Sequence, residues 1–335
     1  MNKELHIFDC TMRDGANVVG KGFDAELTKM MLKGLIACGI TTIEMGNALG
    51  LGAYEANKSI APLTDEEYLK LIQPFLPQAE IGMFMGYKNA TPENIALAKQ
   101  YGLKFLRIGA NASDGEGACA GIKLVKAAGL KCYYSIMKAY VLSPEDLAQE
   151  AKLLEASGLD AITIMDSAGT MTPEDAEAYA SALVKAIKIP VAFHGHNNLG
   201  LSVANAMAAQ KGGATIFDTG LLGMARSAGN CATELLVAVF QKMGYLPSVD
   251  LYKLLDFLDA ELIPAMEKHN YHVAVKPIDL IFGLAGAHSS FTKMFVDTAK
   301  AKNVPLYKLI VEVSKLNRKN PSQDLVNQVA DKMQK

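Results

Sequence analysis

Two histidines, His194 and His196, stand two residues apart in the run VAFHGHNNLGL. On an extended chain that spacing puts both imidazoles on one side, and imidazole nitrogens are good ligands for a divalent transition ion. An isolated His-x-His also has a plainer reading, in which one ring caps a loop and the other hydrogen-bonds inside the fold. A carboxylate at the end of another apolar run favours the metal. Asp14, in DCTMRDGAN, would complete a two-histidine, one-carboxylate set that leaves open positions for a substrate. Its neighbour Arg13 would supply a fixed cation where negative charge develops, or else make a salt bridge at the rim.

Residues so far apart in sequence need a scaffold that gathers chain ends. Short apolar runs rich in β-branched and aromatic residues recur along the chain: LHIFDCT, TTIEMG, EIGMFMG, FLRIGA, CYYSIM, AITIMDS, VAFHGH and TIFDTG. Amphipathic stretches separate them, such as the one from Asp24 and the one from Ser143, where Ser143 and Asp146 resemble a capping box and Gly158 marks a stop. Strands apolar on both faces must be covered on both, as in a parallel sheet, and eight such β/α units fit a closed (β/α)8 barrel over residues 1–245. The competing architecture is an open doubly wound sheet, which would normally carry a glycine-rich phosphate turn where this chain has CTMRDGAN. From about Ser248 the strand signals stop, and residues 246–335 read as a helical C-terminal region whose apolar stripes pack on the barrel or on another subunit.

A barrel of this kind carries its active site where the strands end. The runs here finish in Arg13-Asp14, Glu44 and Asn47, Arg107 and Asn111, Lys138, Asp166-Ser167, His194 to Asn198, and Asp218 followed by Gly223 to Asn230. A scaffold alone has no reason to collect polar residues there. Lys138 raises the prospect of Schiff-base chemistry, but one strand-end lysine beside a metal set reads better as a charged rim residue.

The composition agrees with a globular enzyme acting on a small molecule. Half of the 335 residues are hydrophobic and 20% are charged, with a mean hydropathy of +0.14, which excludes intrinsic disorder. Thirty-three basic against 35 acidic residues leave a net charge of −2, so nothing argues for nucleic acid or an anionic membrane surface. The first residues lack a signal-peptide core, and no apolar run approaches the ~18 residues of a membrane span, so a cytoplasmic location is expected. Five scattered cysteines without CxxC pairing are expected to be reduced, mostly as buried small hydrophobes.

The segments DCTMRDG, HGHNNLGL and GMARSAGN together resemble the metallolyase superfamily of isopropylmalate synthase, hydroxymethylglutaryl-CoA lyase and 4-hydroxy-2-oxovalerate aldolase. The aldolase branch is most similar, through TDEEYL near Thr64, MDSAG at Met165 to Gly169 and GLAGAHSSF at Gly283 to Phe291. This resemblance implies a divalent ion, Mn2+ above Mg2+ or Co2+, on Asp14, His194 and His196. It also implies Arg13 and Ser167 at a 2-oxo acid substrate, retro-aldol cleavage to pyruvate and an aldehyde, and an acylating aldehyde dehydrogenase as partner, with self-association open.

Three positions depart from the aldolase pattern. Asn17 replaces the histidine proposed as catalytic base, and an amide cannot accept a proton at neutral pH. His288 replaces a tyrosine, and either takes over the proton transfer or substitutes for the phenol as a hydrogen-bonding group. Arg226 stands among small residues where the condensing synthases carry a glutamate. Pointing into the mouth it would favour an acidic or phosphorylated substrate, and pointing outward it is a loop charge. Asn230 approaches the metal or caps the next helix. A Claisen-type acyl-CoA condensing enzyme and a non-catalytic metal-binding homologue therefore remain as alternatives to the aldolase.

Overall fold

In a computed structural model, which describes residues 4–57, 60–271 and 277–334, each of the eight apolar runs forms a strand. These are β1 (His6–Asp9), β2 (Thr42–Met45), β3 (Glu80–Gly86), β4 (Phe105–Asn111), β5 (Lys131–Met137), β6 (Ala161–Asp166), β7 (Val191–Gly195) and β8 (Ile216–Thr219). Every strand pairs in parallel with the next, and β8 returns to β1 in the register His6 to Ile216 and Asp9 to Thr219, which closes the barrel. The open-sheet alternative is thereby excluded.

Side chains alternate along each strand, so every second residue faces outward to the helices. Ile7, Ile43, Met83, Ile108, Tyr134, Ile162, Phe193 and Phe217 do so, and they join one buried cluster with helix residues such as Met31, Leu69, Ile122, Leu154 and Leu183. The helices begin where the caps predict. Asp24 accepts from the Leu27 N–H ahead of Ala25–Ala37, and Ser143 accepts from the Asp146 N–H ahead of Pro144–Glu155. The Asp146 carboxylate takes the Ser143 hydroxyl proton rather than its backbone N–H, a variant of the box.

The inward residues form levels along the barrel axis. At the N-terminal end Phe8, Phe105 and Tyr133 pack ring against ring, with centroids 4.9 to 5.9 Å apart, beside a cavity of about 380 Å3 bordered by His6, Glu80 and Lys131. Above them lies a charged level containing Glu44, Arg107, His194 and Asp218. Gly109 matters here because a Cβ on it would lie 2.4 Å from the Phe84 ring, the ring that lies under the Arg13 guanidinium.

The C-terminal helices divide between two cores. Leu254, Phe257, Leu258, Leu262 and Met266 belong to the barrel cluster, whereas Phe282, Phe295, Leu309, Ile310, Val313 and Val326 form a second one. Helix Pro277–Ala285, not marked separately by the sequence pattern, carries this second unit onto the strand C-terminal ends. Gly283 permits the approach, since a Cβ there would lie 2.6 Å from that of Asn198 in the loop after β7. Arg318 and Lys319 donate to the carbonyls of Tyr140 and Ala112, and Lys138 donates back to the Lys319 carbonyl. Among the described residues no helix is long and apolar enough to cross a membrane, and the cysteines are free, with four of the five buried.

Candidate active site

A tight turn follows β1, in which the N–H groups of Arg13 and Asp14 both donate to the Cys10 carbonyl. Thr11 fixes this turn by donating to the Asp9 carboxylate and accepting from the Leu221 N–H in the loop after β8. The two loops are thus tied together, and the turn aims Asp14 at the end of β7.

Asp14, His194 and His196 meet there, all buried. The Nε2 atoms of His194 and His196 lie 3.6 and 3.7 Å from Asp14 Oδ2, and the rings stand 5.2 Å apart, as the His-x-His spacing requires. Those separations exceed hydrogen-bond length and approach the spacing of about 3 to 3.5 Å between ligands that share an ion at about 2.1 Å. His194 Nε2 has no hydrogen-bond partner although it is buried, a costly state for a ring nitrogen unless a ligand completes it. The residues therefore fit a divalent metal.

Electrostatics prepares the same set. Burial pushes the His196 pKa down to about 3, so its ring is neutral and keeps a lone pair. Burial acts in the opposite sense on Asp14, but Arg13 and the two imidazoles outweigh it and hold the carboxyl well below its usual range. Asn230 donates to Asp14 Oδ2 at 2.9 Å, and its backbone lies opposite that of His196 in an isolated antiparallel pairing. It therefore orients the carboxylate instead of capping the following helix, which starts after Ala232.

Beneath the set runs a buried chain of charges. Arg13 Nε donates to Glu44 Oε1 at 2.5 Å; Arg107 donates to both Glu44 oxygens and, through Nη1, to Asp218 Oδ2; and Asp218 Oδ2 lies 3.0 Å from His194 Nδ1. With the proton of His194 on Nδ1 and given to Asp218, Nε2 is left as the free lone pair, the arrangement that fixes a metal-binding tautomer. Arg13 places Nη1 3.2 Å from Asp14 and leaves Nη2 buried without a partner.

The departing positions surround this centre. Asn17 donates to the Asp14 carbonyl and accepts from Lys21 Nζ at 2.7 Å. His288 Nδ1 accepts from the Ser290 N–H, which puts the neutral ring's proton on Nε2. Burial, followed by the nearby Arg226 and Lys138 cations, pushes its pKa down to about 3. Ser167 Oγ accepts from the Lys138 N–H. Arg226 is half-buried with its Nε enclosed and without a hydrogen-bond partner, and its charge is felt at Asp14, His196 and His288. No sequence pattern singles out Lys21, whose one signal is a basic residue four places after Asn17.

Comparison with known proteins identifies the family. The HMGL-like family model matches residues 4–260. Two proteins named 4-hydroxy-2-oxovalerate aldolase are each 34% identical to this chain. The one from Carboxydothermus hydrogenoformans matches over all of this chain and 99% of its own length, and the one from Moorella thermoacetica over 98% and 96%. A solved N-terminal domain of a putative aldolase from Bacteroides vulgatus superposes with a TM-score of 0.72 at 22% identity, covering 92% of this chain and 96% of that one. The carboxyl transferase domain of Rhizobium etli pyruvate carboxylase superposes with a TM-score of 0.78 at 17% identity, over 98% of this chain and 60% of that one, a likeness of fold. By its family match and these full-length relatives, the chain belongs to the HMGL-like family.

Proposed function

We propose that the protein is a divalent-metal-dependent aldolase that cleaves a 4-hydroxy-2-oxo acid to pyruvate and an aldehyde, or forms it in reverse. The supporting observation is the buried Asp14, His194 and His196 set with the free Arg13 Nη2 beside it, in a chain 34% identical throughout to proteins named 4-hydroxy-2-oxovalerate aldolase. A divalent ion on that set, Mn2+ in our reading with Mg2+ or Co2+ as substitutes, supplies Lewis-acid stabilisation of the enolate charge.

The chain's own groups supply the rest. The C3–C4 bond breaks with its electron pair left on C3, the C4 hydroxyl gives its proton to solvent water as the aldehyde forms, and C3 of the enolate takes a proton back from solvent to give pyruvate. Arg13, clamped by Glu44 and Asp14, turns Nη2 toward the developing enolate oxygen as a fixed donor that costs no reorganisation. His288 presents Nε2–H to the substrate and so acts as the donor that replaces a phenol, because its Nδ1 already accepts from Ser290. Asn17 is a positioning residue that ties Lys21 to the Asp14 backbone. Ser167 and Arg226 belong to the substrate-binding wall. An acylating aldehyde dehydrogenase that takes the aldehyde is the partner this reading carries.

The test is pyruvate release from a panel of 4-hydroxy-2-oxo acids in the presence of Mn2+. Pyruvate and aldehyde in equal amounts support the reading. Free CoA released from acetyl-CoA and a 2-oxo acid would replace it with a condensing enzyme. Bound metal without turnover on any of the panel would make the protein a non-catalytic homologue.

A further inference from the structure

The mouth of the site holds more positive charge than the aldolase chemistry requires. Arg226 enters on the loop after β8, Lys21 on the loop after β1 and Lys138 at the end of β5. Burial, and after it Arg226, disfavours the charged form of Lys21, and burial, Lys319 and Arg226 act in the same sense on Lys138. The Nε of Arg226 is buried and makes no hydrogen bond. The carboxylate that faces it, Asp14, is already shared by Arg13, Asn230 and the two histidines. Lys21 Nζ donates to an amide, Asn17, and Lys138 Nζ donates to the Lys319 carbonyl. A half-buried guanidinium with no carboxylate within ion-pair distance among the described residues is poorly compensated, and its planar fork suits a carboxylate or a phosphate.

Depth decides which end of a substrate meets this charge. Arg13 and Asp14 are 6% and 2% exposed at the floor, whereas Arg226 and Lys21 are half-buried at the rim. A 2-oxo acid held at the floor sends its C4 substituent outward to the rim. We infer that the aldehyde half of the substrate carries a terminal anion, a carboxylate or a phosphate, received by Arg226 with Lys21. This rests on the aldolase reading above and narrows it from neutral aldehydes to anionic ones. Cleavage itself is unchanged: the same C3–C4 bond breaks, and the released aldehyde keeps its anionic terminus.

A matched set of substrates tests this. 4-Hydroxy-2-oxohexanoate and 4-hydroxy-2-oxoadipate differ in a terminal methyl against a carboxylate, and 4,5-dihydroxy-2-oxopentanoate 5-phosphate supplies the phosphate. The Mn2+-loaded protein is expected to favour at least one anionic compound over the hexanoate by about 10 to 10²-fold in kcat/KM, the worth of one charge-assisted hydrogen bond. In Arg226→Ala that ratio should collapse toward one, and in Arg226→Lys it should fall between. A hexanoate preference, or a ratio untouched by Arg226→Ala because Arg226 serves the carboxylate common to all three, overturns the inference. If no compound yields pyruvate, the aldolase reading fails, and titration calorimetry with the same compounds still decides. Tighter binding of an anionic compound, lost in Arg226→Ala, supports the anion site, and equal binding overturns it.

Discussion

The charged interior of the barrel and the rim of its mouth are built on opposite terms. Inside, Arg13, Glu44, Arg107 and Asp218 follow one another with alternating sign, each touching a group that compensates it, and the chain ends on the His194 Nδ1 atom. At the rim, Arg226 is felt by both Lys21 and Lys138, and burial, with Arg226 and Lys138 after it, holds His288 neutral. A buried ion pair is retained only when its partners satisfy it, so the interior chain holds Arg13 and His194 in one geometry. The rim keeps charge in reserve for a ligand. The Asp14, His194 and His196 set thus sits on the compensated part, and Arg226 and His288 sit on the uncompensated part.

The comparison breaks first at the metal set. Asp14→Ala, His194→Ala and His196→Ala should each reduce turnover to background and lower the metal content, because each removes one of three protein ligands. Metal analysis beside an activity assay reads both, and full occupancy in any of them would remove the set from the mechanism. Glu44→Gln should come next, since it leaves Arg13 and Arg107 buried with half their compensation gone. Urea unfolding should show a loss of about 3 to 5 kcal/mol. Arg13→Lys should keep the fold and the metal but lower turnover by about 10² to 10³-fold, since an ammonium cannot hold Glu44 and Asp14 while offering a third donor. Unchanged turnover would reduce Arg13 to a structural residue.

The smallest effect separates two roles for His288. Its pKa is about 3 in the fold against an ordinary value of 6.5. The unfolded chain therefore binds a proton that the native state does not as the pH falls below about 6.5, and stability should decline toward acid by at most about 1.4 kcal/mol per pH unit from this group. His288→Phe should flatten that decline in metal-free protein unfolded with urea at pH 5 and 7. As a donor, His288 should contribute about tenfold to turnover, and His288→Gln should retain part of it. A loss of 10² to 10⁴-fold accompanied by the disappearance of one limb of the pH profile would instead make it the general base.

Much of this was legible in the sequence because two local patterns carried it. Near-continuous apolar runs marked all eight strands, and the His-x-His spacing placed both rings on one face. The charged chain was visible only as a set of polar strand ends. That Glu44 binds both Arg13 and Arg107, or that Asp218 holds His194, depends on which strands lie across the barrel, and no local pattern states that. Helix Pro277–Ala285 was hidden because its run PIDLIFGLA is apolar on most faces and has no amphipathic stripe to read. Lys21 was missed for a related reason, since its meaning comes from Arg226, about 200 residues away in the chain and opposite it at the mouth.

The most direct test of the central claim follows pyruvate release from a 4-hydroxy-2-oxo acid through chelation and restoration of the metal. The account predicts that chelation stops release, that Mn2+ restores it at about one ion per chain, and that Asp14→Ala cannot be restored. Release that persists after complete removal of metal, or that returns in Asp14→Ala, would contradict it.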